Sequence, residues 1–525
     1  MTFIGELRRY QQDASDLVTT RGRVLLALDL GTGKTIVSLH AIEKLREEGK
    51  VKCAVLIMSS SLTKQWEKRI QQFTDATSVV LVDGSVPPKK REIILSEAIE
   101  ERPEYLIIGI RQAVTNLGFI SALTPELILV DEVTSIKNFG SQQSKAIKKM
   151  ISPYRIGLTA EPIENGKAEE LFSIMQWIDP QLFGSWQSFE EQYVIRNQFN
   201  MITGYKNTKQ LNSILMTACV NKRRTDPGVA EFMPTVEEFN VLVEMDDGIR
   251  GIYTEIAREL LHALYSSDGG GATDVGNYYA GTSAGNSNDS LGPITSKLLA
   301  LHLLLDSPRL LEESGRRYAD PADPRGSRYA SELLQAGRVP TEGVLGAKME
   351  ACVELCQEFL EENPEHKVIV FARFKGVLPL LAEQLDNYGS VFFTGDLNSK
   401  QRGEAIERFT NDPDIRLFLS SDAGGYGVDL YTASHLINYD LPNSSGVFKQ
   451  RNGRHVRASS TFRHVYIYNL IVAGTVEEYQ LSRLSYKSKV ANAVVGGVVS
   501  GVTDTVENEG KSLTKFLEDY LGGKR

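Results

Sequence analysis

Cysteine is scarce. Four in 525 residues, Cys53, Cys219, Cys352 and Cys356, are too few and too scattered for a disulfide framework, which points to a reducing, cytoplasmic setting. Cys352 and Cys356 stand one helical turn apart, but no His or Cys pair accompanies them, so no zinc site is expected there. A long apolar run is missing too. The least polar stretch, Ala493–Val502, is about half of the roughly 20 residues a membrane span needs and is interrupted by Gly496, Gly497 and Gly501, so no membrane partner is expected. Met1–Tyr10 is charged early and carries no apolar h-region, so no secretory signal is expected. Positive charge is not in excess: 58 Lys and Arg against 67 Asp and Glu leave −9, and any contact with nucleic acid must come from a local basic surface. What remains is a globular composition, 42% hydrophobic and 24% charged, in a chain too long for one domain of about 100–200 residues.

Short apolar runs alternate with segments of helical spacing. Val24–Leu28, Val55–Met58, Leu106–Ile110, Leu127–Val130 and Arg155–Leu158 read as buried parallel strands with crossover helices. The alternation breaks at Ser266–Gly292, a Gly, Ser, Asn, Ala and Thr stretch without Lys or Arg that is expected to be a mobile loop. Glu312–Gly346, with Pro321, Pro324 and Pro340, is expected to be irregular as well. Alternation resumes at Val368–Ala372, Val391–Phe393, Leu417–Ser421, Leu436–Tyr439 and Val465–Ile471. The expected fold class is therefore α/β, two parallel-sheet lobes in tandem with helical insertions between them.

The strand Val24–Leu28 runs into Asp29-Leu30-Gly31-Thr32-Gly33-Lys34-Thr35 and then a helix, which is the layout of a phosphate cradle of Walker A type. Backbone N–H groups of Leu30, Gly31, Thr32 and Gly33 would face the phosphates at a helix N-terminus, Lys34 would neutralise the β and γ phosphates, and the Thr35 hydroxyl would ligate Mg²⁺. Leu28 stands where that pattern has its first glycine. At the end of Leu127–Val130, Asp131 is placed to reach the metal and Glu132 to orient the attacking water. Phosphoryl transfer also needs cations on the γ-phosphoryl oxygens, and Gln450-Arg451-Asn452-Gly453-Arg454-His455-Val456-Arg457 supplies them. On a helix, Arg454 and Arg457 would face one side and reach one nucleotide from the second lobe.

These residues in this order resemble the Swi/Snf-type DNA-dependent ATPases of helicase superfamily two, from about Leu7 to Tyr479. Leu7-Arg8-Arg9-Tyr10-Gln11 is similar to the family's glutamine motif, which implies that Arg8 and Gln11 meet the nucleotide and Gln11 reads the adenine. Asp131-Glu132-Val133-Thr134-Ser135-Ile136-Lys137-Asn138 resembles its D-E-x-H with an I-K-N extension. Leu158–Asn165 resembles its third motif, Ser420–Leu430 and Gln450–Arg457 its motifs of the second lobe, and Gly474–Glu478 its brace. Thr134 in place of His, Ala160-Glu161 in place of Gly-Thr, and Asp429 in place of Asn depart from the pattern.

The resemblance implies ATP and Mg²⁺ as nucleotide and metal, with Gly427, Asp429 and Gln450 joining the site. It divides the chain into a first RecA-like lobe (1–235), a middle segment (236–345) holding the loop 266–292, a second lobe (346–482) and a brace and tail (483–525). It implies double-stranded DNA as partner, held through its phosphates by Ser61, Lys64, Lys137 and Asn138 on the first lobe and Arg402 and Ser420 on the second. Lys145, Lys148 and Lys149 would widen that track, and Arg316, Arg317, Arg325 and Arg328 with Tyr318 and Tyr329 would form a second DNA-touching loop. A stand-alone, monomeric motor of phage or bacterial type is expected. Three readings stay open: a duplex translocase, a strand-separating DNA or RNA helicase, and a nucleotide-gated clamp that scarcely hydrolyses.

Overall fold

The computed structural model describes residues 3–60, 62–198, 200–266, 275, 278–279, 292–320, 326–339, 345–422, 428–497, 505–507 and 511–523. The chain divides into two compact units, Met1–Met233 with Lys487–Asn508, and Pro234–Tyr486 with Glu509–Arg525. Each carries its own parallel sheet.

In the first unit the strands are β1 (Arg23–Leu28), β2 (Ala54–Met58), β3 (Val79–Val82), β4 (Tyr105–Gly109), β5 (Leu127–Val130), β6 (Tyr154–Thr159), β7 (Val194–Arg196), β8 (Ile202–Lys206) and β9 (Cys219–Lys222). Seven of them form one sheet in the order β3-β4-β2-β5-β6-β1-β9, every pairing parallel. Strands such as AVLIM and LILV are apolar at each position because helices cover both faces, and β2, β4 and β5 are buried throughout. Every strand expected here appears within one residue at each end. β7 and β8 belong instead to a small antiparallel sheet completed by β16 (Thr505–Glu507), from the C-terminal segment.

The second unit holds β10 (Thr235–Val243), β11 (Val368–Ala372), β12 (Ser390–Phe393), β13 (Leu417–Ser421), β14 (His435–Asn438) and β15 (His464–Val472), in the order β10-β15-β14-β11-β13-β12 and again all parallel. The edge strand β10 was not expected. It pairs with β15 along its whole length, yet its open flank exposes Glu237 and Glu238, so its sequence lacks the continuous apolar run of an interior strand.

Helices Asp247–Ser266, Pro293–Asp306 and Ala347–Glu362 share one core with this sheet. Within Glu312–Gly346, expected to be irregular from its prolines, 312–319 and 328–335 are helical and belong to the helices Pro308–Ala319 and Arg328–Gln335. Their backbones abut at glycines: a Cβ on Gly326 would sit 1.9 Å from the Ser314 carbonyl oxygen, and one on Gly315 2.8 Å from that of Ala330. Among the described residues, the arginines and tyrosines expected in a basic loop lie on these helices instead. Arg316 pairs with Glu312, Arg317 with Glu313 and Arg328 with Glu332, each one turn along its own helix, while Tyr329 donates to Glu259. Arg325 and most of Ser266–Gly292 lie outside the described residues.

A buried ion triad ties three elements of this unit. Lys348 Nζ lies 2.7 Å from Asp306 Oδ1 and 2.5 Å from Glu477 Oε1, with all three side chains out of solvent. Burial alone would lower the Lys348 pKa, but the two carboxylates hold it above its ordinary value. Among the described residues, no helix is long and apolar enough to cross a membrane.

Candidate nucleotide-binding site

The phosphate-cradle residues sit where β1 ends and the helix Lys34–Glu47 begins. The turn needs left-handed backbone at Gly31 (φ 81°) and Gly33 (φ 96°), which glycine adopts without a Cβ penalty. Gly33 has a second reason: a Cβ there would come within 2.4 Å of Gln11 Nε2. Thr32 is fully buried, its hydroxyl donating to the Asp29 carbonyl at 2.6 Å. Lys34 Nζ donates to the Leu28 carbonyl at 2.8 Å, so the ammonium is drawn back over the turn.

The helix Arg9–Arg21 braces this turn from one side. Tyr10 Oη and Gln11 Nε2 both donate to the Thr32 carbonyl, at 2.8 and 3.0 Å, while Gln11 Oε1 accepts from the Arg8 N–H at 2.9 Å. The Gln11 amide is thereby fixed in one orientation. The Arg8 guanidinium lies over the Phe232 ring, 3.9 Å from its centre. On the other side, Asp29 Oδ2 accepts from the Arg224 N–H at 3.0 Å.

Asp131 and Glu132 follow β5, with β6 between that strand and β1 in the sheet, so cradle and acids share the C-terminal edge where ligands of such sheets bind. Both oxygens of Asp131 are engaged: Oδ2 accepts from Trp66 Nε1 at 2.8 Å and Oδ1 from the Glu132 N–H at 2.9 Å. Burial raises the Asp131 pKa, with the Trp66 hydrogen bond and the Lys34 ammonium pulling the other way. Glu132 has φ 49°, a left-handed conformation costly for a residue with a Cβ, and it opens a single 3₁₀ turn, Val133–Ile136. Thr134 and Glu161, which depart from the family pattern, are both buried, and the Glu161 N–H donates to Thr159 Oγ1 at 3.0 Å.

In the second unit the helix Ser445–Asn452 carries Gln450 and Arg451 and stops at Gly453. Arg454 and Arg457 are therefore not aligned by a helix, contrary to the expectation from their spacing. They converge for another reason, since both reach the adjacent residues Val428 and Asp429: Arg454 Nη1 donates to the Val428 carbonyl at 3.4 Å and Arg457 Nε to Asp429 Oδ1 at 2.7 Å. Arg451 is committed elsewhere. Its guanidinium meets Asp422 Oδ1 at 2.6 Å, Asp440 Oδ1 at 3.2 Å and the Asp440 carbonyl at 2.7 Å. Burial would lower its pKa, but these acids hold it above the ordinary value. Gly427 lies outside the described residues.

The expected DNA-facing residues divide. Lys64 and Asn138 are exposed, Lys137 is paired with Glu164, and Arg402 is half-buried with its guanidinium over the Phe393 ring. Ser420 corrects the reading: it is fully buried in β13, where its hydroxyl donates to the carbonyls of Phe393 at 3.1 Å and Ser421 at 3.2 Å, so it offers no surface to a phosphate. Ser61 lies outside the described residues. Lys148 is turned inward onto Ser173 and Gln176.

Sequence reasoning missed the partners that hold these groups in place. Trp66, the donor to Asp131, carries no motif of its own in the sequence. Asp422 and Asp440 were not singled out at all, and an acid at the end of a strand is the signal that would have found both.

Comparison with known proteins shows the family to which the chain belongs. The family model of the SNF2-related domain matches residues 10–283, and that of the helicase conserved C-terminal domain matches 347–459. The chain is similar to the DNA repair and recombination protein RAD54B of Gallus gallus, 25% identical over 509 residues that cover 91% of this chain and 52% of that protein. It is also similar to the uncharacterized ATP-dependent helicase YqhH of Bacillus subtilis (strain 168), 24% identical over 95% of this chain and 80% of that one. The solved Sulfolobus solfataricus SWI2/SNF2 ATPase core in complex with dsDNA aligns with 94% of this chain and 94% of its own, at 22% identity and a TM-score of 0.42. Of the curated relatives it matches, the chain spans about half the length of two and about a third of another.

Proposed function

Because the chain belongs to the SNF2-related family, with a helicase conserved C-terminal domain behind the SNF2-related one, we propose that it is a DNA-dependent ATPase that moves along double-stranded DNA. The observation that carries the catalytic part is the shared edge of one sheet. A glycine turn that tolerates no Cβ at Gly33, with Lys34 behind it, stands two strands from Asp131 and Glu132. That donor set fits a nucleoside triphosphate: backbone N–H groups and an ammonium for the phosphates, and two acids beyond them.

The roles follow from the chemistry of each group. Leu30–Gly33 cradle the phosphates and Lys34 neutralises them. Gln11 and Arg8 position the base. Glu132 takes the proton of the attacking water. Thr35 and Asp131 are the residues that would hold Mg²⁺, which when bound supplies charge neutralisation on the phosphate oxygens. Arg454 and Arg457 are assigned to the charge that develops on the γ-phosphoryl group, with Gln450, Gly427 and Asp429 supporting them. Lys64, Lys137, Asn138 and Arg402 are assigned to the DNA backbone, contacts that read no sequence.

The deciding experiment is ATP hydrolysis titrated with duplex DNA, single-stranded DNA and RNA. Stimulation by duplex above the other two, weakening steeply with salt, is expected. Equal rates with and without duplex would end this reading. A strand-separating activity draws support from the helicase name of the Bacillus relative, and displacement of a labelled strand from a tailed duplex would establish it instead.

A further inference from the structure

A second cluster of metal-ligating side chains lies in the second unit, away from the arginines. Glu362 closes the helix Ala347–Glu362, His366 sits in the loop before β11, and His435 opens β14, and one ligand atom from each lies within 4.8 Å of the others. His435 sits at the start of β14 and the Asn438 that touches Arg451 at its end, three residues or about 10 Å along the strand. The cluster is thus not part of the nucleotide site.

Three features prepare these side chains as ligands. The His366 Nδ1–H faces the Phe359 carbonyl oxygen at 3.1 Å, an acceptor only, which leaves the lone pair on Nε2. His435 Nδ1 faces Ser434 Oγ at 2.8 Å, and that hydroxyl in turn reaches the Lys367 carbonyl at 3.4 Å, so this ring too is oriented through Nδ1. Such a bond on one ring nitrogen is what fixes metal-binding imidazoles elsewhere. The rings and loop are also held. His435 stacks on Phe359 at 4.2 Å and on Tyr466 at 5.1 Å, and Arg416 pins the loop through the carbonyls of Leu360, Asn363 and His366.

We propose that Glu362, His366 and His435 form a site for one divalent zinc-like cation, two imidazoles and a carboxylate with a fourth position open to water. Zinc–nitrogen bonds of about 2.0–2.1 Å place tetrahedral ligand atoms about 3.3 Å apart, so the cluster must contract on binding. The exposed Glu362 carboxylate, 3.8 Å from His366 Nδ1, must swing to the Nε2 side of that ring to ligate, whereas His435 is buried. The bound ion would join the end of a helix to the start of a central strand, a fastening with no part in hydrolysis.

The test uses the full chain stripped with chelator and titrated with Zn²⁺ by calorimetry and with Co²⁺ by visible absorption. One ion per chain is expected, at micromolar Kd, with Co²⁺ giving the intense band of a four- or five-coordinate site. His366→Ala should weaken binding about ten-fold or more and Glu362→Gln several-fold, while His262→Ala, at an exposed distant imidazole, should change nothing. The thermal midpoint should rise with Zn²⁺ in the wild type and not in His366→Ala. Wild-type binding weaker than about 1 mM, or equal binding by wild type and His366→Ala, would overturn the proposal.

Discussion

The indole N–H of Trp66 donates to the Asp131 carboxylate at 2.8 Å, which joins the buried face of the helix Thr63–Phe73 to the end of β5. Lys64, on the exposed side of the same helix, is assigned to DNA, so one short helix carries a proposed track contact and the group that orients a proposed metal ligand. Trp66→Phe removes a hydrogen bond to the charged form of Asp131, whose pKa burial already raises. The acid limb of the ATPase pH profile should move up, and the half-saturating Mg²⁺ concentration should rise. An unmoved acid limb would show that the indole only packs.

Arg451 and Arg457 should separate cleanly in mutagenesis. Arg457→Ala should lower kcat about a hundred-fold or more with little change in the KM for ATP, because its charge is needed as the phosphoryl group transfers. Arg451→Ala strands Asp422 and Asp440 and should cost about 3–5 kcal/mol in chemical denaturation. Loss of ATP affinity equal to the loss of rate in Arg457→Ala would contradict its assignment.

Lys348→Ala leaves Asp306 and Glu477 facing each other without their cation. A destabilisation of about 3–5 kcal/mol is expected, read from the urea midpoint. Neutralising all three, as Lys348→Met with Asp306→Asn and Glu477→Gln, should recover much of it. If the triple variant is no more stable than the single, the triad is not the source of the cost.

The Lys148 ammonium is partly desolvated, and burial lowers its pKa to about 8. An unfolded lysine titrates near 10.4, so between about pH 8 and 10 the unfolded chain binds more protons than the folded one. Stability should therefore rise across that window, relative to Lys148→Met, and the handicap should be fully present below pH 8. A constant difference between the two proteins from pH 7 to 10 would show that the ammonium keeps its water.

The interior strands were legible because parallel strands covered on both faces carry an apolar residue at nearly every position, as in β2 and β5. β10 was not, since an edge strand needs no such run, and the short β7 and β8 lie in a separate small antiparallel sheet. The phosphate cradle was legible because its chemistry is local, seven consecutive residues. The arginine pair was half legible: charge and proximity could be read, but Gly453 ends the helix, and what brings Arg454 and Arg457 together is a segment some 25 residues earlier in the chain. Ser420 shows the reverse error, a polar residue assigned to a surface when its hydroxyl serves two carbonyls inside the sheet. Contacts such as Trp66 with Asp131 lie 65 positions apart and leave no periodic trace.

The first unit takes its last pieces from the far end of the chain. Val494 and Val495 receive the amide of Asn212, Val495 that of Asn221, and β16 is the third strand of the small sheet. During synthesis the N-terminal portion thus leaves the ribosome unfinished and must wait, with β8 unpaired on one flank, while more than two hundred further residues are translated. A fragment ending near residue 233 is for that reason a poor choice for isolating the N-terminal half. A clone that also carries 487–508 keeps the residues that make those contacts.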